Sequence, residues 1–156
     1  MEQSSRHQIV EILDEANDLT LATLQDDGAP QATTVSFVND GLAIYFGCSG
    51  ASQKARNLAR DPRVALTVDL PYDDWSQIRG LSISGRAERI VAPHEVLEIG
   101  RLFLDKFPQV GGQLDASGGE LALFCITPQR VSILDYRQGF GHTTQVQAGE
   151  LEPVAG

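Results

Sequence analysis

Ser52, Gln53, Lys54 and Arg56 stand together at the start of a short helical segment, directly after a turn of small residues from Cys48 to Ala51. Helix-initial N–H groups, a hydroxyl and an ammonium gathered in one place make an anion site, because the helix dipole and the directed donors act on the same charge. Gly47, Ser49, Gly50 and Ala51 are small enough for the backbone to approach such an anion closely. A single phosphate is the group this cluster suits. Lys54 and Arg56 also fit a plainer reading, as solvated charges on a helix surface.

The surrounding chain is acidic, with 21 Asp and Glu against 12 Lys and Arg over 156 residues, a formal net charge of −9. A surface of that sign repels nucleic-acid backbones and anionic lipid, which directs attention to a small phosphate-bearing ligand. Hydrophobic residues at 42% and charged residues at 21% describe an ordinary globular protein, long enough for one domain with its own core. No apolar run approaches the roughly 20 residues of a membrane span. The opening stretch MEQSSRHQIVEILDEAN carries charges every few residues, so the cytoplasm is the expected location. Two cysteines, Cys48 and Cys125, are too few for a disulfide framework, and Cys125 within Leu121 to Ile126 reads as a buried small hydrophobe. Three scattered histidines offer no metal-binding spacing.

The elements that must position the anion cluster follow from periodicity. Ile9, Val10, Ile12, Leu13 and Ala16 recur at helical spacing and predict an amphipathic helix over Ser4 to Ala16. Leu19 to Leu24, Pro30 to Val38 and Leu42 to Gly47 read as strands joined by turns at Asp26-Asp27-Gly28 and Asn39-Asp40-Gly41, an antiparallel meander. After the short helix come a strand at Val64 to Val68, a loop at Pro71 to Asp74, and a long alternating strand from Ile78 to Ile90. Gly80 and Gly85 inside that last strand mark a bulge or a place where a ligand approaches the backbone. Ala92-Pro93 opens a helix to Phe107 with Val96, Gly100, Phe103 and Phe107 along one stripe; Pro108 to Gly119 is a glycine-rich loop. Leu121 to Thr127 and Arg130 to Tyr136 give two more strands. Seven strands and three helices with short connections predict a mainly β fold, an antiparallel barrel with peripheral helices. Residues 1–136 form one domain, and 137–156 a partly ordered tail.

Three segments in this order, LATLQDDGAPQATTVSFV, IYFGCSGASQKARNLARDPRVALTV and IRGLSISGRAERI, resemble the pyridoxamine 5′-phosphate oxidase-like family, the FMN-binding split β-barrels. The resemblance implies an FMN-dependent oxidoreductase acting as a homodimer, with the cofactor at the subunit interface and a small-molecule substrate. By that resemblance Thr33, Thr34, Val35 and Ser36 run along the isoalloxazine ring, and Phe46 and Gly47 follow the ribityl chain. Ser52, Gln53 and Lys54 hold the phosphate, with Arg56 or Arg63 assisting, and Gly80 meets the flavin. Three positions depart from the family pattern: Thr33 and Gln53 stand where many members carry arginine, and Gly80 lacks the amide side chain of the true oxidases. On the residues alone, Thr33, Thr34 and Ser36 are equally ordinary strand positions facing water.

The tail RQGFGHTTQVQAGELEPVAG lacks the Arg-, His- and Trp-rich motif that holds a second phosphate in authentic pyridoxamine phosphate oxidases, so that specific activity is not expected. His142 is either a surface histidine or a group folded back over the active site with Phe140. Trp75 either covers a core edge, stacks near the flavin, or covers a partner subunit. The alternative function is a non-catalytic flavin- or heme-binding protein, with His142 as axial ligand; deazaflavin is a third cofactor of related barrels.

Overall fold

The structure, a computed structural model, describes residues 2–109 and 121–150. Helix α1 (Glu2–Glu15) leads into β1 (Asp18–Leu24), β2 (Pro30–Asp40) and β3 (Ala43–Ser49). Helix α2 (Gln53–Arg60), β4 (Arg63–Asp69), β5 (Arg79–Ile90), helix α3 (Pro93–Lys106), β6 (Leu121–Asp135) and β7 (Thr143–Gln147) follow. Neighbouring strands run in the order β3-β2-β1-β4-β5-β6-β7, and β3 pairs again with β6, so six antiparallel strands close into a barrel with β7 outside the ring. This is the antiparallel barrel with peripheral helices that the alternation predicts. None of the described helices is long and apolar enough to cross a membrane.

Alternate strand residues point inward and fill the barrel: Leu19 and Leu21, Val35 and Phe37, Ile44 and Phe46, Leu66 and Val68, Leu81 and Ile83, Val131 and Ile133. Helix α1 adds Ile9, Ile12, Leu13 and Ala16 to the same core. Each such buried side chain contributes about 1.5–3 kcal/mol, whereas exposed ion pairs such as Arg63–Asp61 are screened by solvent and contribute little. Burial, not surface charge, holds this barrel. On the outer wall a second cluster joins Ile99, Val96, Leu102, Phe103 and Phe107 of α3 to Val38, Ile90 and Leu123. Lys106 pins the end of α3 by donating to the carbonyls of Ala16 (2.5 Å) and Phe37 (3.1 Å), with its ammonium 4.3 Å from the Phe37 ring centre.

Three differences from the sequence reading have physical causes. The two strands expected on either side of Pro128 are one, because a bulge absorbs the proline. Ser84 pairs with Arg130 and Gly85 with Pro128, which leaves Gln129 as the extra residue. Of the two readings for the glycines of β5, the bulge is the one seen at Gly85, where a Cβ would collide with the Thr127 carbonyl oxygen of the neighbouring strand. Second, the tail supplies an unforeseen strand, β7, whose Val146 lies buried opposite Val131. Third, Cys125 is only half-buried and is hydrogen-bonded to Tyr45; burial raises its thiol pKa, and burial with the adjacent Cys125 pushes the Tyr45 phenol up to about 12. The glycine-rich loop expected over Pro108 to Gly119 lies mostly outside the described residues, as does the chain end beyond Glu150.

The turn from β6 to β7 depends on Asp135, which is 4% exposed. Its carboxylate accepts from Arg137 Nε and Nη2, both at 2.8 Å, and from Gln138. The Arg137 bonds hold its pKa near 2, below the ordinary 3.8 and against the opposing effect of burial. A depressed carboxylate stabilises the fold fully above its unfolded value and loses that contribution as pH falls through the folded one. Acid unfolding monitored by circular dichroism is therefore expected to gain slope between about pH 4 and pH 2 from this group. Asp135→Asn is expected to flatten that limb and to lower stability at neutral pH.

Candidate functional site

The pairing of β2 is uneven, and the site begins there. Residues 30–36 pair with β1, whereas only Phe37 to Asp40 pair with β3. Beyond the Phe37–Phe46 pair, Gly47, Cys48 and Ser49 of β3 keep only β6, which pairs with β3 from Ile44 onward. The two strands part, and a cavity of about 660 Å³ occupies the gap. One wall is the β2 segment Thr34, Val35 and Ser36, which has no β3 partner; the other is Gly47, Cys48 and Ser49. Val96, Gly100 and Phe103 of α3 and Leu121 and Leu123 of β6 complete an apolar lining. The volume falls within the range of small-molecule sites.

Polarity is concentrated at one end, where α2 begins. Ser52 is the N-cap: its hydroxyl accepts from the Ala55 N–H (3.2 Å) and donates to the Ser49 carbonyl (2.7 Å). The N–H groups of Gln53 and Lys54, the first two helical residues, have no carbonyl four residues back within the helix. No acidic residue occupies the first turn of α2 to neutralise them. Lys54 is the sole charged side chain among the described lining residues and makes no ion pair among them. Two amides, an ammonium and the helix dipole thus converge on a space with apolar walls.

A buried polar network fixes α2 in this place. Asn57, fully buried, accepts from Gln53 Nε2 (2.7 Å) and donates through Nδ2 to Thr23 Oγ1 (2.9 Å) on β1 and Gln31 Oε1 (3.2 Å) on β2. Arg56 donates to the Ala51 carbonyl (2.6 Å) and to Gln53 Oε1 (2.8 Å). Arg63 is paired with Asp61 at the other end of α2.

Of the residues assigned to the cofactor from the sequence, the structure gathers Thr34, Val35, Ser36, Gly47, Ser52 and Lys54 around this cavity. Four do not line it. Phe46 is fully buried in the barrel and stacked on Phe124 with ring centres 5.2 Å apart. Thr33 shares the inward parity of Val35, and its buried hydroxyl has no partner among the described residues. Gln53 is engaged by Arg56 and Asn57. Gly80 lies against β4, where a Cβ would come within 2.6 Å of the Val68 carbonyl oxygen. His142 and Phe140 are also elsewhere: the His142 ring nitrogen lies 3.5 Å from Thr144, and Phe140, 81% exposed, packs on Trp75 and Tyr136. Trp75 meets that ring and not a core edge. The residues that sequence reasoning missed are those of α3 and β6. Gly100, in the middle of a helix, was the available signal for a wall that needs room.

The cavity accepts a phosphate-bearing ligand with an apolar body. Donors and the cation sit at one end, hydrocarbon lines the rest, and a Cβ at Gly47 would press on Leu123 (3.1 Å) and Leu121 (3.3 Å). A Cβ at Gly100, in contrast, would meet nothing within 4 Å. Gly100→Leu is therefore expected to fold with unchanged or slightly raised thermal stability, since replacing helical glycine gains about 0.5–1 kcal/mol. The same variant is expected to lose ligand uptake, measured by equilibrium dialysis, because its side chain occupies the cavity.

Solved structures share the fold. A heme-binding protein from Mycobacterium smegmatis superposes with a TM-score of 0.77 at 24% identity, covering 96% of this chain and 59% of its own. A conserved hypothetical protein from Mycobacterium tuberculosis gives 0.75 at 28% identity, covering 88% and 89% of the two chains. An F420 reductase gives 0.59 at 23% identity, covering 78% and 94%. The sequence pattern of the pyridoxamine 5′-phosphate oxidase family matches residues 5–135. With most of its length under that pattern and its strands closed into the barrel described above, the chain belongs to the pyridoxamine 5′-phosphate oxidase family.

Proposed function

We propose that the protein is an FMN-dependent oxidoreductase that works as a homodimer, with the cofactor between subunits and a small-molecule substrate. The observation that carries this reading is the cavity in the β2–β3 gap, with its one charged lining residue beside the first amides of α2. In it the Lys54 ammonium and the amides of Gln53 and Lys54 hold the phosphate. The unpaired edge of β2 at Thr34 to Ser36 offers main-chain donors and acceptors to the polar rim of the ring. Val35, Phe103, Leu121 and Leu123 exclude water from its apolar part. FMN in that position supplies hydride transfer through its N5 atom.

The donor set favours a mononucleotide over a ligand with two phosphates, because a single cation and one helix terminus serve a single anion. The tail likewise lacks a second phosphate-binding cluster, so the substrate is not assigned as pyridoxamine phosphate. A second reading, heme binding without turnover, draws on the fold likeness to the mycobacterial heme-binding protein. No histidine is among the described residues that line the cavity, and this favours flavin.

FMN is expected to raise the melting temperature in a concentration-dependent way, since a ligand at 100 times its dissociation constant stabilises the native state by about 2.7 kcal/mol. Scanning fluorimetry with FMN, deazaflavin, heme and pyridoxal phosphate separates the readings; a Soret band without FMN uptake overturns the flavin assignment. Lys54→Gln is expected to weaken FMN about tenfold or more, as the loss of a charge-assisted bond worth roughly 1.5–3 kcal/mol implies.

A further inference from the structure

The hydrogen bonds behind α2 have a direction. A guanidinium only donates, so Arg56 obliges Gln53 to present Oε1 to it. Gln53 Nε2 is then turned to Asn57 Oδ1, which leaves Asn57 Nδ2 for Thr23 and Gln31. Two bonds, of 2.8 and 2.7 Å, thus run from an exposed arginine to a fully buried amide, and two more, of 2.9 and 3.2 Å, lead from that amide onward. The relay ends on β1 and on β2, the strand that forms one wall of the gap. It begins at Arg56, whose other bond holds the carbonyl of Ala51 in the turn before α2.

We propose that the Gln53 side chain is a positioning group for the anion site: it makes no contact with the phosphate and acts through the Arg56–Gln53–Asn57 relay, which ties the first turn of α2 to the barrel. The inference rests on the FMN reading for the identity of the ligand and on the geometry alone for the relay. Helix-terminal donors bind an anion well only if they are held in place before it arrives. The side chain of Gln53, drawn along the flank of α2 toward Asn57, supplies that restraint, and its own backbone N–H remains available to the ligand. Asn57 keeps its bonds to Thr23 and Gln31 when Gln53 is lost, so the helix stays docked while its first turn loosens.

Gln53→Met preserves length and removes both relay bonds. It is expected to raise the dissociation constant for FMN about tenfold while leaving that for riboflavin, which lacks the phosphate, unchanged, with the melting temperature of the ligand-free protein nearly as in the wild type. Gln53→Asn, too short to reach Arg56 and Asn57 together, is expected to behave like Gln53→Met. Unchanged FMN affinity in Gln53→Met overturns the proposal. So does an equal loss for FMN and riboflavin accompanied by a lower melting temperature, which marks ordinary support of the fold. Titration with inorganic phosphate, followed by the amide NMR signals of Gln53 and Lys54, separates the two levels of argument. Wild-type protein that binds phosphate at these amides but not FMN overturns the cofactor reading alone, and the positioning role is then read from the weaker phosphate affinity of Gln53→Met. Wild-type protein that binds neither overturns both.

Discussion

A single buried carboxamide, that of Asn57, is the interaction on which the site depends. A fully desolvated amide costs about 1–3 kcal/mol for each unmade bond, and here its oxygen and nitrogen are both satisfied, by Gln53 on one side and by Thr23 and Gln31 on the other. Those partners come from α2, β1 and β2. Satisfaction of one group therefore fixes the helix against two strands at once, and with it the place where the first free N–H groups of α2 emerge. Hydrophobic contact of Leu58 and Ala55 with the core secures the helix but has no direction. The amide adds the orientation.

The cavity is a product of strand bookkeeping in the barrel. A closed sheet leaves no free edges, yet here β3 keeps β6 beside it from Ile44 to Ser49 but parts from β2 after Phe46, so the β2 segment 30–36 has no β3 partner on that side. An unpaired strand edge beside a helix N-terminus offers main-chain donors and acceptors that need no particular side chain. This accounts for the modest chemistry of the lining, in which Lys54 alone among the described residues bears charge. The overall charge of −9 makes that cation and the α2 dipole a local exception in the field of the molecule.

Much of the architecture was legible because alternation and turn residues are local signals. Leu19 to Leu24 and Val64 to Val68 were readable to within a residue or two of their observed ends. The segment Thr143 to Gln147 was not, because Val146 is its only buried residue and a lone apolar position carries no period. Pro128 hid the continuity of β6, since the bulge that tolerates it requires knowledge of the partner strand. At the site, Ser52 and Lys54 were legible from spacing at a helix start. The roles of Gln53 and Asn57 were not: a polar residue on a helix gives no sign of which neighbour it will meet. Phe46 sits on a lining strand, but strand parity turns it to the barrel core, and Gly80 packs against β4 on a strand that supplies none of the described lining. The α3 wall is a long-range contact that no local pattern encodes.

Gly100 separates two kinds of selection. Because a Cβ built there would meet no described residue outside its own helix backbone within 4 Å, substitutions there alter the room offered to a guest without disturbing the scaffold that carries it. Most residues that shape a binding site are also structural, and changing them trades stability for selectivity. Here a single codon adjusts guest size almost independently of foldability, which makes this position an inexpensive route for evolving a new preference from an old barrel.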